Sequence, residues 1–215
     1  MAFSSHKFTR SRIKGLYVIV DADVVGERDI VEVTRAVLRG GAGTIQFRDK
    51  LHDKGDVLPI TRRIRQLCGS FGASFIVNDH IDLAIACGAD GVHLGQHDIP
   101  VPEARDMLGS TYIVGTSNAL LEEAMLSISQ GADYVAVGTI FPTKTKENTR
   151  AAGLDMLRRV KASVNVPVVA IGGINKENAR EVILAGADAL CVISAVVAAP
   201  DPEAATREIM SVIES

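Results

Sequence analysis

Short apolar runs rich in β-branched residues alternate along the chain with stretches where apolar positions recur every three or four residues. The first kind reads as strand and the second as helix. Four of the runs open on variants of one motif: Gly41-Ala42-Gly43-Thr44-Ile45, Gly88-Ala89-Asp90-Gly91-Val92, Gly131-Ala132-Asp133-Tyr134-Val135 and Gly186-Ala187-Asp188-Ala189-Leu190. In each, the glycine ends a helical pattern, where a left-handed residue is wanted, and a short turn enters the strand. The copies are 47, 43 and 55 residues apart, which leaves room for two strand–helix units per repeat. The intervening strands are predicted at Leu16–Val20, Ser74–Val77, Thr111–Gly115 and Val166–Ile171. Helical faces are formed by Ile30, Val33, Val37 and Leu38, by Val57, Ile60, Ile64 and Leu67, and by Leu121, Ala124, Met125 and Ile128. Asp201-Pro202 opens the last helix with a capping residue and a proline at the first helical position. Eight strands alternating with helices predict an α/β fold, a single-domain (β/α)8 TIM barrel over residues 15–215. A doubly wound open sheet is the structural rival. The repeat favours the closed ring, because it makes the strands equivalent and leaves no edge.

Aligning the four copies also fixes which way their side chains point. Ile45/Phe47, Val92/Leu94, Val135/Val137 and Leu190/Val192 form one apolar column, as expected facing the helices. Gln46/Arg48, His93/Gly95, Ala136/Gly138 and Cys191/Ile193 form the other column, facing the barrel interior. In the run Gln46-Phe47-Arg48-Asp49-Lys50 the amide, guanidinium and ammonium therefore share a face, which is costly to bury without an anionic or polar partner. Gly95 and Gly138 leave space beside Arg48 at the C-terminal mouth, where barrel enzymes place their sites.

Composition narrows the class. The chain has 215 residues, 47% of them hydrophobic, with a net charge of −3, which gives no hint of nucleic-acid binding. Cys68, Cys87 and Cys191 are scattered and form no CxxC, which argues against a disulfide framework or a zinc site and fits a reducing, cytoplasmic location. No apolar run is long enough to span a bilayer. Residues 1–14 carry Lys7, Arg10, Arg12 and Lys14 without an apolar centre, and read as a flexible basic tail rather than a targeting peptide. A homo-oligomer is left open.

The strand ends hold the candidate chemistry. Asn78-Asp79-His80-Ile81-Asp82 reads as a helix start with Asp79 as N-cap, and Gly95-Gln96-His97-Asp98 as an ordered loop. Two carboxylates at adjacent strand ends, beside Arg48, also suit a Mg2+ carrying phosphate oxygens. In Gly115-Thr116-Ser117-Asn118, Ser117 or Asn118 is expected to begin a helix whose free N–H groups bind phosphate. The long irregular stretch 138–152 contains Thr143-Lys144-Thr145-Lys146, either a solvated charged loop or a segment that meets anions. Gly172-Gly173 and Ile193-Ser194 follow the seventh and eighth strands, the usual phosphate site of this fold. The residues thus form two anion sites. Arg48, Lys50, Ser117, Lys146 and Mg2+ on Asp79 and Asp98 suit a diphosphate, and backbone amides near Gly173 and Ser194 suit a single phosphate. That pairing points to two small phosphorylated substrates and a diphosphate leaving group.

From Leu16 to about Ala195 the chain resembles the thiamine-phosphate synthase (thiamine-phosphate pyrophosphorylase) family. The resemblance rests on Gln46-Phe47-Arg48-Asp49-Lys50, Asn78-Asp79, Gly91-Val92-His93-Leu94-Gly95-Gln96-His97-Asp98, Thr143-Lys144-Thr145-Lys146 and Ile171-Gly172-Gly173-Ile174. It implies a transferase that joins 4-amino-5-hydroxymethyl-2-methylpyrimidine diphosphate to 4-methyl-5-(2-phosphooxyethyl)thiazole and releases diphosphate. It implies that Gln46, Phe47, Arg48, Asp49, Lys50, Asn78, Ser117 and Lys146 hold the pyrimidine diphosphate, and that Arg48, Lys50, Ser117 and Lys146 are catalytic. It further implies Thr143, Lys144, Thr145, Gly173, Ile193 and Ser194 for the thiazole phosphate, and Asp79 and Asp98 for Mg2+. The family usually has Gly-Pro where this chain has Gly138-Thr139, and often a histidine at the position of Ala119. The rivals are a thiazole tautomerase on the same barrel, which needs no diphosphate site, a non-catalytic phosphate-ligand binder, and, by fold analogy alone, another phosphate-binding barrel isomerase.

Overall fold

The computed structural model describes residues 13–143 and 150–215. Eight parallel strands close into a barrel in sequence order: β1 (Gly15–Asp21), β2 (Thr44–Arg48), β3 (Ser74–Asn78), β4 (Gly91–Leu94), β5 (Ile113–Asn118), β6 (Tyr134–Val137), β7 (Val168–Ile171) and β8 (Ala189–Val192). The ring shuts where β1 pairs with β8, with Tyr17 beside Cys191. The helices are α1 (Ala22–Val25), α2 (Ile30–Arg39), α3 (Lys54–Phe71), α4 (Ile81–Cys87), α5 (Val101–Leu108), α6 (Leu121–Ser129), α7 (Gly153–Ser163), α8 (Ala179–Leu184), α9 (Ser194–Val197) and α10 (Pro202–Ile213). Asp201 caps α10 by accepting from the Ala204 N–H, as its Asp-Pro start predicts. None of these helices is long and apolar enough to cross a membrane.

Two apolar layers result from the period-two pattern. Ile45, Phe47, Val92, Leu94, Val135, Val137, Leu190 and Val192 join the layer between strands and helices. Tyr17, Ile19, Ile76, Ile113, Tyr134, Ala136, Val169 and Cys191 fill the barrel interior. The expected register of the even strands therefore holds. Of the expected tail, residues 1–12 lie outside the described residues, whereas Ile13 is buried in the interior cluster and so belongs to the barrel.

The Gly-Ala-Asp motif has a structural purpose at the N-terminal end of the barrel. Its glycines all take positive φ, between 69° at Gly88 and 106° at Gly41 and Gly131. The aspartate then ties three pieces together. Asp90, Asp133 and Asp188 accept from the backbone N–H of Phe75, Val114 and Val168 at 2.8, 2.9 and 2.7 Å. Each also meets a cation from the helix before that odd strand: Arg65, Arg105 and Lys161. Gly43 stands where the first copy would have its aspartate, and no helix precedes β1 among the described residues to supply a cation. Asp133→Ala is expected to cost about 2 kcal/mol, because it strands the Val114 N–H, while Arg105 keeps its bonds to the Gly131 and Tyr112 carbonyls. A urea melt against the unaltered protein measures it.

Candidate active site

A cavity of about 700 Å3 opens at the C-terminal ends of the strands. Its wall includes Gly95, Gln96, Ser117, Thr139, Thr143, Gly173, Ile193 and Ser194. None of the remaining expected groups lines the cavity itself: Asp98 adjoins its wall by accepting from the Gly95 N–H, Arg48, Lys50, Asn78 and Asp79 come from the ends of β2 and β3, and Gln46 is buried in the barrel interior. Lys144, Thr145 and Lys146 lie outside the described residues.

The glycines of the mouth, expected to leave space, instead allow close approach. A Cβ on Gly138 would lie 2.4 Å from the Ile171 carbonyl oxygen, and one on Gly95 would lie 2.9 Å from the Asp98 carboxylate. Gly172 and Gly173, at φ 105° and 65°, lie under the loop after β6. A Cβ on Gly173 would approach the Pro142 carbonyl oxygen to 2.7 Å, while the Phe141 N–H donates to the Gly172 carbonyl at 3.0 Å.

Charge is concentrated on the β1–β4 side. Arg48 projects inward from the end of β2 and is ion-paired with Asp21, at the end of β1. The Asp21 carboxylate also caps α1 through the Asp23 N–H at 3.1 Å, so it is held from two sides. Lys50 reaches Asp79, and Asp79 faces Asp98. Burial pushes the Asp98 carboxyl up, and the neighbouring Asp79 raises it further, against the Gly95 N–H that donates to it at 2.6 Å. Burial opposes the Asp79 carboxylate too, but hydrogen bonds from Asp98 and Lys50 hold its pKa below the ordinary carboxylate range. Two facing carboxylates are a hard, all-oxygen donor pair, and so fit Mg2+ rather than a softer ion.

Several expectations change in place. Asp79 is not an N-cap: His80 occupies that position of α4, while Asp79 takes φ 61° and aims its carboxylate at Lys50. Ser117 and Asn118 do not start a helix. They are the last residues of β5, paired with Ala136 and Val137, and α6 begins only at Leu121. Ser117 consequently offers its side chain, not a helix terminus, to the cavity. The Phe47 side chain packs in the strand–helix layer. The Asp49 carboxylate folds back to accept from the Leu51 and His52 N–H groups at 2.8 and 3.0 Å.

The structure adds groups that the pattern did not single out. Asp21 is one, although alternation along β1 from Tyr17 through Ile19 would have found it. Glu123 and Arg150 are others. They form a two-pronged ion pair on the cavity wall, and Glu123 also accepts from the Ala119 N–H at 2.8 Å. Behind Ser117 runs a buried series of side chains, Gln46, Tyr17, Tyr134 and His93. Gly115 makes room for it, since a Cβ there would lie 1.9 Å from the Tyr134 ring.

Comparison with known proteins agrees with this arrangement. Residues 16–196 match the thiamine monophosphate synthase (TMP-TENI) family. The thiamine-phosphate synthase of Shouchella clausii is 46% identical, over 93% of this chain and 96% of its own. That of Pyrococcus furiosus is 45% identical over 95% of this chain and 97% of its own. The solved structure of thiamine phosphate pyrophosphorylase from Pyrococcus furiosus superposes with a TM-score of 0.88 at 43% identity, covering 95% of this chain and 97% of that one.

Proposed function

The chain belongs to the thiamine monophosphate synthase family, and from that premise we propose how its own residues carry out the transfer. It is a thiamine-phosphate synthase, a transferase of thiamine biosynthesis. In our reading its substrates are 4-amino-5-hydroxymethyl-2-methylpyrimidine diphosphate and 4-methyl-5-(2-phosphooxyethyl)thiazole, and its products are thiamine phosphate and diphosphate. The observation that carries this reading is the placement of Arg48, Lys50 and the Asp79–Asp98 pair beside a cavity walled by Ser117, Gly173 and Ser194. A cation-rich, carboxylate-bearing corner suits the diphosphate, and the β7–β8 wall suits the single phosphate.

Arg48, Lys50 and Lys146 hold the diphosphate oxygens, and the Ser117 hydroxyl donates to one of them. Asn78 holds the pyrimidine end, whereas Gln46, expected there too, is buried and donates to the Tyr17 hydroxyl. Asp79 and Asp98 hold Mg2+, whose contribution when bound is to offset charge on the departing diphosphate. As the carbon–oxygen bond breaks, the fixed cations stabilise the leaving group without having to reorient. The pyrimidine-methyl cation then meets the thiazole nitrogen, which Thr143, Gly173, Ile193 and Ser194, with Lys144 and Thr145, keep in place by its phosphate. Positioning two charged reactants in one cavity replaces a collision in water, and no covalent link to the protein is needed.

Incubation with both precursors and Mg2+ is expected to yield thiamine phosphate and diphosphate in equal amounts, read by chromatography and a phosphate-release assay. A folded, Mg2+-supplied protein that forms neither product would sink this reading.

A further inference from the structure

We propose that His93 is a positioning residue for the transfer, carrying its proton on Nε2 so that Ser117 accepts from it and turns its own hydroxyl hydrogen into the cavity. The proposal deepens, and rests on, the diphosphate-site reading above. Five side chains on five strands carry it. The Gln46 Nε2 is 2.6 Å from the Tyr17 hydroxyl, which is 3.0 Å from the Tyr134 hydroxyl. The Tyr134 hydroxyl is 2.9 Å from His93 Nδ1, and His93 Nε2 is 2.9 Å from the Ser117 hydroxyl. Gln46, Tyr17, Tyr134 and His93 are all buried, and Ser117 alone reaches the cavity wall.

The direction of the relay follows from its inner end. An amide nitrogen can only donate, so the Tyr17 hydroxyl accepts from Gln46. The Gln46 Oε1 has no hydrogen-bond partner among the described residues. Turning the amide over would leave two buried N–H hydrogens in that place, and orphaned donors are rarer than under-used carbonyls. Burial also keeps both phenols neutral, with their acidity pushed well below that of a free tyrosine. Tyr17 therefore donates to Tyr134, Tyr134 donates to His93 Nδ1, and the ring's one hydrogen sits on Nε2, facing Ser117.

This decides what Ser117 presents to an anion. If its hydrogen were committed to His93, the hydroxyl would turn lone pairs toward the diphosphate oxygens. With His93 as donor, the hydroxyl oxygen is satisfied from behind and its hydrogen points outward. A short series in a low-dielectric interior also polarises each bond in the same sense.

The test has a spectroscopic and a kinetic arm. In protein labelled with 15N-histidine, His93 at neutral pH is expected to carry its hydrogen on Nε2, and a hydrogen on Nδ1 would overturn the proposal. Tyr134→Phe keeps the ring but breaks the relay one bond from His93. It is expected to lower kcat about tenfold. The double variant Tyr134→Phe/Ser117→Ala should then be no slower than Ser117→Ala alone, whereas losses that multiply independently would refute the coupling. Should Tyr134→Phe fail to fold, Tyr17→Phe serves in the same cycle. Absence of product from the unaltered protein would remove the synthase reading, and the tautomer would then decide the relay by itself.

Discussion

Arg48→Ala is expected to lower kcat about a thousandfold while KM for the thiazole phosphate changes less than about threefold. The guanidinium lies at the last position of β2 and faces inward, so it cannot leave without the strand moving. Asp21 fixes its orientation from the adjacent strand, and Asp21 is itself held by the start of α1. A cation fixed in this way meets the charge that grows on departing diphosphate and gains less from the ground state, so its loss belongs in kcat. Arg48→Lys keeps the charge without the planar fork and is expected to recover only part of the rate. Asp21→Asn leaves the cation but releases its anchor, with an expected loss of about tenfold. Alanine at 48 also leaves the buried Asp21 carboxylate unpaired, at a cost of about 3 kcal/mol, so the kinetics belong well below the variant's melting temperature. Steady-state rates with each substrate varied in turn separate the two effects. An unchanged kcat with only thiazole KM raised would refute the division of the cavity into two anion sites.

The same residue illustrates how much the sequence discloses. The repeated Gly-Ala-Asp motif aligned four strands, and alternation along them placed Arg48 and Gln46 inside the barrel. That reading works because the side-chain period of a strand is strict once one face is buried. It fails where a residue's local preference differs from what its neighbours impose. Ser117 and Asn118 look like helix starters, yet β6 extends the ladder through both. The Asn118 side chain finds its partners nearby, accepting from Ser127 of α6 and donating to Thr116 on its own strand, so it caps nothing. Tyr17 and Tyr134 are hidden for another reason. Each sits in an apolar run, and only the closed ring brings hydroxyls 117 residues apart into contact. Asp21 ends an apolar strand and resembles an ordinary capping residue, which it also is. Its second role needed Arg48 beside it in the β1–β2 pairing.

Asp79→Gly is expected to abolish most of the activity at ordinary Mg2+ concentration, by about a thousandfold, without loss of stability. Asp79 holds φ 61°, a region that glycine occupies freely and that costs most other residues of order 1 kcal/mol. Its backbone N–H donates to the His93 carbonyl at 2.8 Å, so the turn itself does not depend on the side chain. What glycine removes is a pairing with Lys50 that is exposed on the lysine side only, worth about 0–1 kcal/mol, and the contact with the Asp98 carboxyl. What it adds is freedom in the unfolded chain, at about 0.4–1 kcal/mol. These nearly cancel, so the melting temperature should match or exceed that of the unaltered protein. Asp98 offers no such clean test, because its carboxylate also accepts the Gly95 N–H at 2.6 Å and holds the loop after β4. If Asp79 serves the ion, Mg2+ with diphosphate should raise the melting temperature of the unaltered protein and not that of the variant. Excess Mg2+ should restore part of the variant's rate through Asp98. A variant with unaltered Mg2+ dependence would show that the strained backbone at residue 79 is kept for something other than the metal, and a variant that unfolds would show that the Lys50 pairing, not the ion, is what holds it there.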